Sequence, residues 1–212
     1  MLTCLISLFL LPAALCWPSA VLAEYVVEVP ILAAIRSNGQ GVFEMMIARW
    51  DQRPEPDPIE LVRYHSRVRL GSASMEAIDR AFRYAVERAS PVRQSGTVSV
   101  FGHAYRPVNT DGPSAGAAMA VGFIAMFKGH SLLRGIALTG TLEPGGGIGP
   151  VGSIPDKMRA AAREGYRTIL VPAGQIYGSG WNLNQVALDL NMVVKEVNTV
   201  DEAYELMTGR SL

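Results

Sequence analysis

The chain has 212 residues, 49% of them hydrophobic and 18% charged, with a formal net charge of +0. That is ample apolar material for one compact domain with its own core, and the balanced charge gives no electrostatic reason to expect nucleic acid or an anionic membrane surface as a partner. Basic charge is mostly arginine, so the three lysines, Lys128, Lys157 and Lys195, narrow any search for lysine chemistry.

Residues 1–23 carry no charged side chain and end in Ser19-Ala20-Val21-Leu22-Ala23, just before Glu24. Small residues at −3 and −1 of a cut after Ala23 mark a secretory signal peptide, so export to the periplasm or the cell exterior is expected, with a mature chain from Glu24. The alternative is an uncleaved membrane anchor, because roughly 20 apolar residues span a bilayer; Pro12 and Pro18 interrupt the stretch and weigh against it. Leu15 stands before Cys16, where a lipoprotein signal has a small residue, so no lipid anchor is expected. Both cysteines, Cys4 and Cys16, fall inside this segment. A chain from Glu24 can form neither a disulfide nor a thiolate metal site, and cannot be a cysteine peptidase. With only His65, His103 and His130 and no H-E-x-x-H motif, a zinc centre is poorly supplied, and no cofactor or metal is expected.

Residues 24–212 show no linker or internal repeat and read as one domain of mixed strands and helices, class α/β or α+β. Tyr25–Pro30 suits a first strand; Ile31–Ser37 and Val42–Trp50 flank a turn at Asn38-Gly39-Gln40-Gly41 and suggest a hairpin. Asp51–Pro58, with three prolines and three acids, is expected to be an exposed loop, and Tyr64–Leu70 a strand. Ile78, Ala81, Phe82, Ala85 and Val86 recur at helical spacing, with Ser74 as N-cap. Thr97–Phe101 alternates as a strand, and Ala115–Phe127 is a small-residue, apolar helix suited to burial. Beyond it come a short strand at Gly135–Leu138, a helix at Pro155–Glu164 closed by Gly165, and a strand at Thr168–Val171. The remainder reads as helix (Leu183–Leu190), strand (Met192–Val197) and helix (Val200–Met207), the last with capping-box spacing at Thr199 and Glu202.

The chemistry concentrates in two places. In Asp111-Gly112-Pro113-Ser114-Ala115-Gly116, Ser114 opens the buried helix, where the positive helix end and unpaired N–H groups stabilise an oxyanion. Gly112 and Gly116 allow close approach of backbone and substrate. Taken alone, Ser114 reads equally well as a plain helix cap. Downstream, Ser153-Ile154-Pro155-Asp156-Lys157 places Lys157 in the first turn of a helix, an unfavourable position for an ammonium that only Asp156 partly offsets. Such a position suits a general base, since only the neutral amine accepts a proton; an isolated lysine there would otherwise bend back into water.

Together these segments resemble the proteolytic domain of the Lon protease family. The family's D-G-P-S-A-G stands unbroken at Asp111–Gly116. Its second block is matched by Leu138-Thr139-Gly140-Thr141 and by Gly149-Pro150-Val151-Gly152-Ser153-Ile154-Pro155-Asp156-Lys157, with the continuation running from Ala160 to Pro172. Ser114 and Lys157 lie 43 residues apart, the family's spacing. The resemblance implies a serine endopeptidase in which Ser114 is the nucleophile, Lys157 its base, Thr139 a hydroxyl that holds the lysine, and Asp111 and Gly112 the shapers of the nucleophile loop. It implies polypeptide substrates and ring-shaped homo-oligomers. Thr141 stands where many members have glutamate, and of the family's histidine pair before the nucleophile only His103 lies nearby. No G-x-x-x-x-G-K-[ST] occurs, so ATP-independent cleavage is expected, with any delivery of substrates left to a partner.

Two further patterns carry less. Gly112-x-Ser114-x-Gly116 fits a nucleophile elbow, but only His130 follows Ser114 as a partner for a Ser-His-Asp triad. Gly147-x-Gly149-x-x-Gly152 fits a dinucleotide fingerprint, but no acid ends the next strand; it reads better as the loop that aims Lys157. The alternative from another class is a non-catalytic Lon-like assembly module, which need not keep both Ser114 and Lys157.

Overall fold

The computed structural model describes residues 24–35, 40–53, 58–64, 68–89, 95–104 and 108–212, and the expected hairpin opens it. Strand β1 (Glu24–Ala34) pairs antiparallel with β2 (Gly41–Gln52), from Glu24 opposite Asp51 to Ala34 opposite Gly41. The sequence suggested a break at Pro30. Instead β1 runs through it, because β1 is an edge strand, where a missing N–H costs the ladder nothing. The turn residues 36–39 and most of the expected loop, 54–57, lie outside the described residues, as do residues 1–23 and His65.

The expected strand Tyr64–Leu70 proves to be the ends of two: β3 (Ile59–Tyr64) and β4 (Val68–Leu70). Helix α1 (Ser72–Arg88) carries the chain across to β5 (Gly96–His103), which lies parallel to β3 and antiparallel to β2. Parallel neighbours need such a crossover. The first sheet therefore has the order β1-β2-β5-β3. A short strand β6 (Val108–Thr110) pairs with β4 and delivers the chain to a 3-10 turn at Pro113–Ala115 and then to α2 (Gly116–Phe127).

All twelve residues of α2 are buried. Its small side chains let it press onto neighbours on every side: a Cβ at Gly116 would sit 3.2 Å from the Leu142 nitrogen. Around α2 the main core gathers Val29, Met46, Trp50, Val98, Phe82, Phe123 and Tyr204. Aromatic edges meet there, Phe82 with Phe123 at 5.6 Å and Trp50 with Phe127 at 5.2 Å between ring centres.

The second half is a small parallel α/β unit. Strand β7 (Ile136–Leu138) is followed by β8 (Thr141–Leu142) and β9 (Ile148–Gly149), then α3 (Ile154–Arg163) and β10 (Thr168–Pro172). A two-strand ribbon, β11 (Tyr177–Gly178) with β12 (Trp181–Asn182), leads into α4 (Leu183–Asp189), β13 (Val193–Val197) and α5 (Val200–Thr208). The sheet order is β13-β10-β7, all parallel. Ile154, Met158, Ala161, Ile169, Val171 and Leu183 form a second core beneath it, which Leu32 of β1 also enters. Thr199 caps α5 by accepting from Glu202 N–H at 3.2 Å, and the Glu202 carboxylate reaches back to Asn198 N–H at 2.7 Å. Mixed strands and helices make this an α/β fold, as expected. Among the described residues no helix is long and apolar enough to cross a membrane.

Candidate active site

Helix α1 begins without a cap of its own: Gly71 is the N-cap residue, and no side chain there accepts a hydrogen bond. The sequence assigned that role to Ser74, but Ser74 lies inside the first turn. Asp111 caps the helix from the nucleophile loop instead. Its Oδ1 accepts from Ala73 N–H at 2.9 Å and Ser74 N–H at 3.3 Å, placing a carboxylate at the positive helix end. Ser74 Oγ in turn accepts from Gly112 N–H at 3.0 Å and donates to Gly112 C=O at 3.2 Å. Gly71 N–H donates to Thr110 C=O at 2.8 Å. Three successive residues, Thr110, Asp111 and Gly112, are thus fastened to one helix terminus, and Ser114 follows two residues later. Gly116 makes the close approach the sequence suggested, whereas a Cβ at Gly112 would meet nothing within 4 Å; its open side lines the cavity described below.

Ser114 is half-buried in the 3-10 turn that leads into α2. Its carbonyl accepts from Gly140 N–H at 3.0 Å and lies 3.5 Å from Thr139 Oγ1. Gly116 N–H is bonded to Pro113 C=O and Ala117 N–H to Gly140 C=O at 3.1 Å, so what this helix end offers an incoming oxygen is its positive field.

Lys157 lies in the first turn of α3, its N–H bonded to Ser153 C=O at 3.1 Å. The side chain does not turn back into water; it is only 3% exposed. Nζ donates to Thr139 Oγ1 at 3.0 Å, and Thr139 is itself fully buried. Burial pushes the Lys157 amine down from 10.5 to about 8. Asp156 does not offset this, because its carboxylate faces outward to Arg159 at 2.9 Å. The turn is set by two constraints. Ser153, the N-cap residue, has left-handed backbone (φ 55°). Across the turn, Gly41 of β2 lies so close that a Cβ there would overlap the Asp156 carbonyl.

Ser114 and Lys157 line one cavity of about 320 Å3, together with Asp111, Gly112, Thr141 and the loop Pro150–Ser153. The Gly/Pro loop taken as aiming Lys157 therefore forms cavity wall. It is held by Gln175, whose amide donates to Val151 C=O and accepts from Val151 N–H, both at 2.9 Å. Every sequence-named site residue thus converges here: Ser114, Lys157, Asp111 and Gly112 on the wall, and Thr139 behind it against Lys157. Neither of the described histidines does. His103 is exposed at the end of β5 and outside the cavity lining, and His130 pairs with the Tyr204 hydroxyl at 2.5 Å beyond the far end of α2.

Two residues at the site escaped the sequence reading. One is Ser74, hidden by its resemblance to an ordinary cap. The other is Glu44, which lines the same cavity from β2 and is only 1% exposed. A signal for Glu44 was present: it alternates in phase with Met46, Ala48 and Trp50, the inward residues of its strand. Among the described residues, no group of three or more His, Cys, Asp or Glu is placed to hold a metal ion.

Residues 71–207 match the family model of the Lon protease (S16) C-terminal proteolytic domain. Similar proteins include Lon protease from Haemophilus influenzae, 32% identical over 94 residues, which is 43% of this chain and 11% of the relative. Lon protease 1 from Herpetosiphon aurantiacus is 42% identical over 62 residues, 29% of this chain and 8% of the relative. Lon protease from Orientia tsutsugamushi is 28% identical over 130 residues, 59% and 16% respectively. The chain thus spans only a small fraction of the length of the curated relatives it matches.

Proposed function

The chain belongs to the Lon protease (S16) family through its C-terminal proteolytic domain, and on that premise we propose that it is a serine endopeptidase working through a Ser114–Lys157 dyad without ATP. The observation that carries this reading is the environment of Lys157. Its amine is buried, has a hydroxyl rather than a carboxylate as its hydrogen-bond partner, and shares a cavity with a serine at a helix start.

In the reaction, the neutral Lys157 amine donates one hydrogen to Thr139 and keeps its lone pair for the Ser114 hydroxyl proton. As Ser114 Oγ attacks the scissile carbonyl, that proton passes to Nζ and the carbonyl oxygen becomes an oxyanion at the helix end. Collapse of the tetrahedral species breaks the C–N bond, Lys157 returns the proton to the departing amine, and an acyl-enzyme remains. Water then attacks the ester with Lys157 again taking a proton, releasing the acid and regenerating Ser114. Thr139 orients the amine throughout, and Asp111 and Ser74 hold the loop that presents Ser114.

The uncharged segment 1–23 supports a site of action outside the cytoplasm, with unfolded or exported polypeptides as substrates. The family resemblance further supports assembly into homo-oligomers. Purified protein is expected to cleave an unfolded protein or fluorogenic peptide, and adding ATP with magnesium should leave the rate unchanged. Reproducible stimulation by ATP would contradict the ATP-independent reading. A purified chain that cleaves nothing, and whose Ser114 resists serine-reactive probes, would instead fit a non-catalytic assembly module.

A further inference from the structure

Glu44 is a buried acid for which the dyad has no use. It sits on β2 with its side chain on the inward face and 1% exposed. Oε2 receives one long hydrogen bond, from Thr110 Oγ1 at 3.5 Å, and Oε1 has no partner among the described residues. An unpaired carboxylate oxygen in an apolar wall is costly, and no side chain among the described residues pairs with it. Burial accordingly pushes the carboxyl up to about 7.

The surroundings indicate what would relieve it. The wall of this cavity includes the apolar side chains of Met46, Leu70, Ile78 and Met119, which suit the methylene stem of a long side chain. Among the described residues, the charged ones lining this cavity are Glu44, Asp111 and Lys157. Above about pH 8, where Lys157 works as a neutral amine, the Glu44 carboxyl is ionised, and the Asp111 carboxylate is turned onto the start of α1. Thr110, which holds Glu44, begins the loop that ends in Ser114, so the carboxyl is tied to the wall of the cavity that contains the nucleophile.

From this geometry we infer that Glu44 is a specificity-determining residue that receives a lysine or arginine side chain of the substrate next to the scissile bond. The inference rests on the peptidase reading above. A cation supplies the partner that Oε1 lacks and stabilises the ionised carboxylate, while the stem covers the apolar wall. Glu44 lies on the β1–β2 hairpin, before the residues 71–207 that match the family model.

The test is cleavage-site mapping by mass spectrometry on an unfolded protein, using wild type, Glu44→Gln and Ser114→Ala. Ser114-dependent cuts by wild type should be enriched for lysine or arginine adjacent to the cut. Glu44→Gln keeps the shape of the side chain and removes its charge. It should lower kcat/KM for those cuts by about 10- to 100-fold, with cuts beside apolar residues retained. The inference fails if wild type shows no basic enrichment, if the variant keeps it, or if the variant loses all cuts equally, as a purely structural role would require. If wild type makes no Ser114-dependent cut, the peptidase reading itself falls, a result distinct from active cleavage without basic preference.

Discussion

Ser114→Ala is expected to lower kcat for peptide cleavage by about 10⁴ to 10⁶ while the protein remains folded. The substitution removes one half-buried hydroxyl. It leaves the interactions that shape the loop: the Ser114 carbonyl still accepts from Gly140 N–H, and the Asp111 and Ser74 contacts to α1 involve other residues. Purified variant and wild type compared for initial rate, with thermal unfolding measured alongside, decide the matter. Near-normal turnover by a folded Ser114→Ala protein would remove the nucleophile from the mechanism.

Lys157 should prove equally indispensable, and for a reason separable from folding. Lys157→Arg and Lys157→Ala are both expected to lose about 10⁴-fold or more in kcat, because a guanidinium stays protonated and alanine has no base. Stability should move the opposite way in Lys157→Met. The folded amine sits at about 8 against 10.5 unperturbed, so between those values the unfolded chain binds more protons. Burial of the lysine therefore costs stability in full below about pH 8, and the cost fades as pH rises toward 10.5. An uncharged, similarly long side chain removes it, a gain on the order of 3 kcal/mol at pH 7. An inactive but more stable Lys157→Met protein would show that catalysis, not folding, needs the amine. Lys128→Arg and Lys195→Arg should keep their activity, since both side chains are exposed and neither lines the cavity. An active Lys157→Arg protein would mean that position 157 supplies charge rather than proton transfer.

The elements that were legible in the sequence are those with strong local patterning. Strand β2, the wholly apolar α2, the Pro-started α3 and the capped α5 all appear near their expected bounds, and β1 joins two stretches expected as separate strands. What was obscured depends on contacts distant in sequence. Strand β4 has three residues and, among the described residues, pairs with β6 alone, so no periodicity could separate it from β3. The cap of α1 comes from Asp111, 38 residues beyond Ala73, and helix-start rules look only for a local side chain. At the site, the ordered motifs gave Ser114, Lys157 and Thr139 through family likeness, whereas Glu44 belongs to no motif and was legible only as an acid in phase with inward apolar residues.

The most direct test of the dyad is the rate at which a fluorophosphonate probe phosphonylates Ser114, with loss of fluoride, as a function of pH, with the modified residue identified by peptide mass spectrometry. Only the neutral Lys157 amine can accept the Ser114 proton. The rate should therefore climb about tenfold per pH unit below the Lys157 titration and level off above about pH 8. The label should fall on Ser114, and Lys157→Ala should abolish the fast reaction. A rate independent of pH across this range, a label elsewhere, or unchanged labelling in Lys157→Ala would contradict the Ser114–Lys157 mechanism.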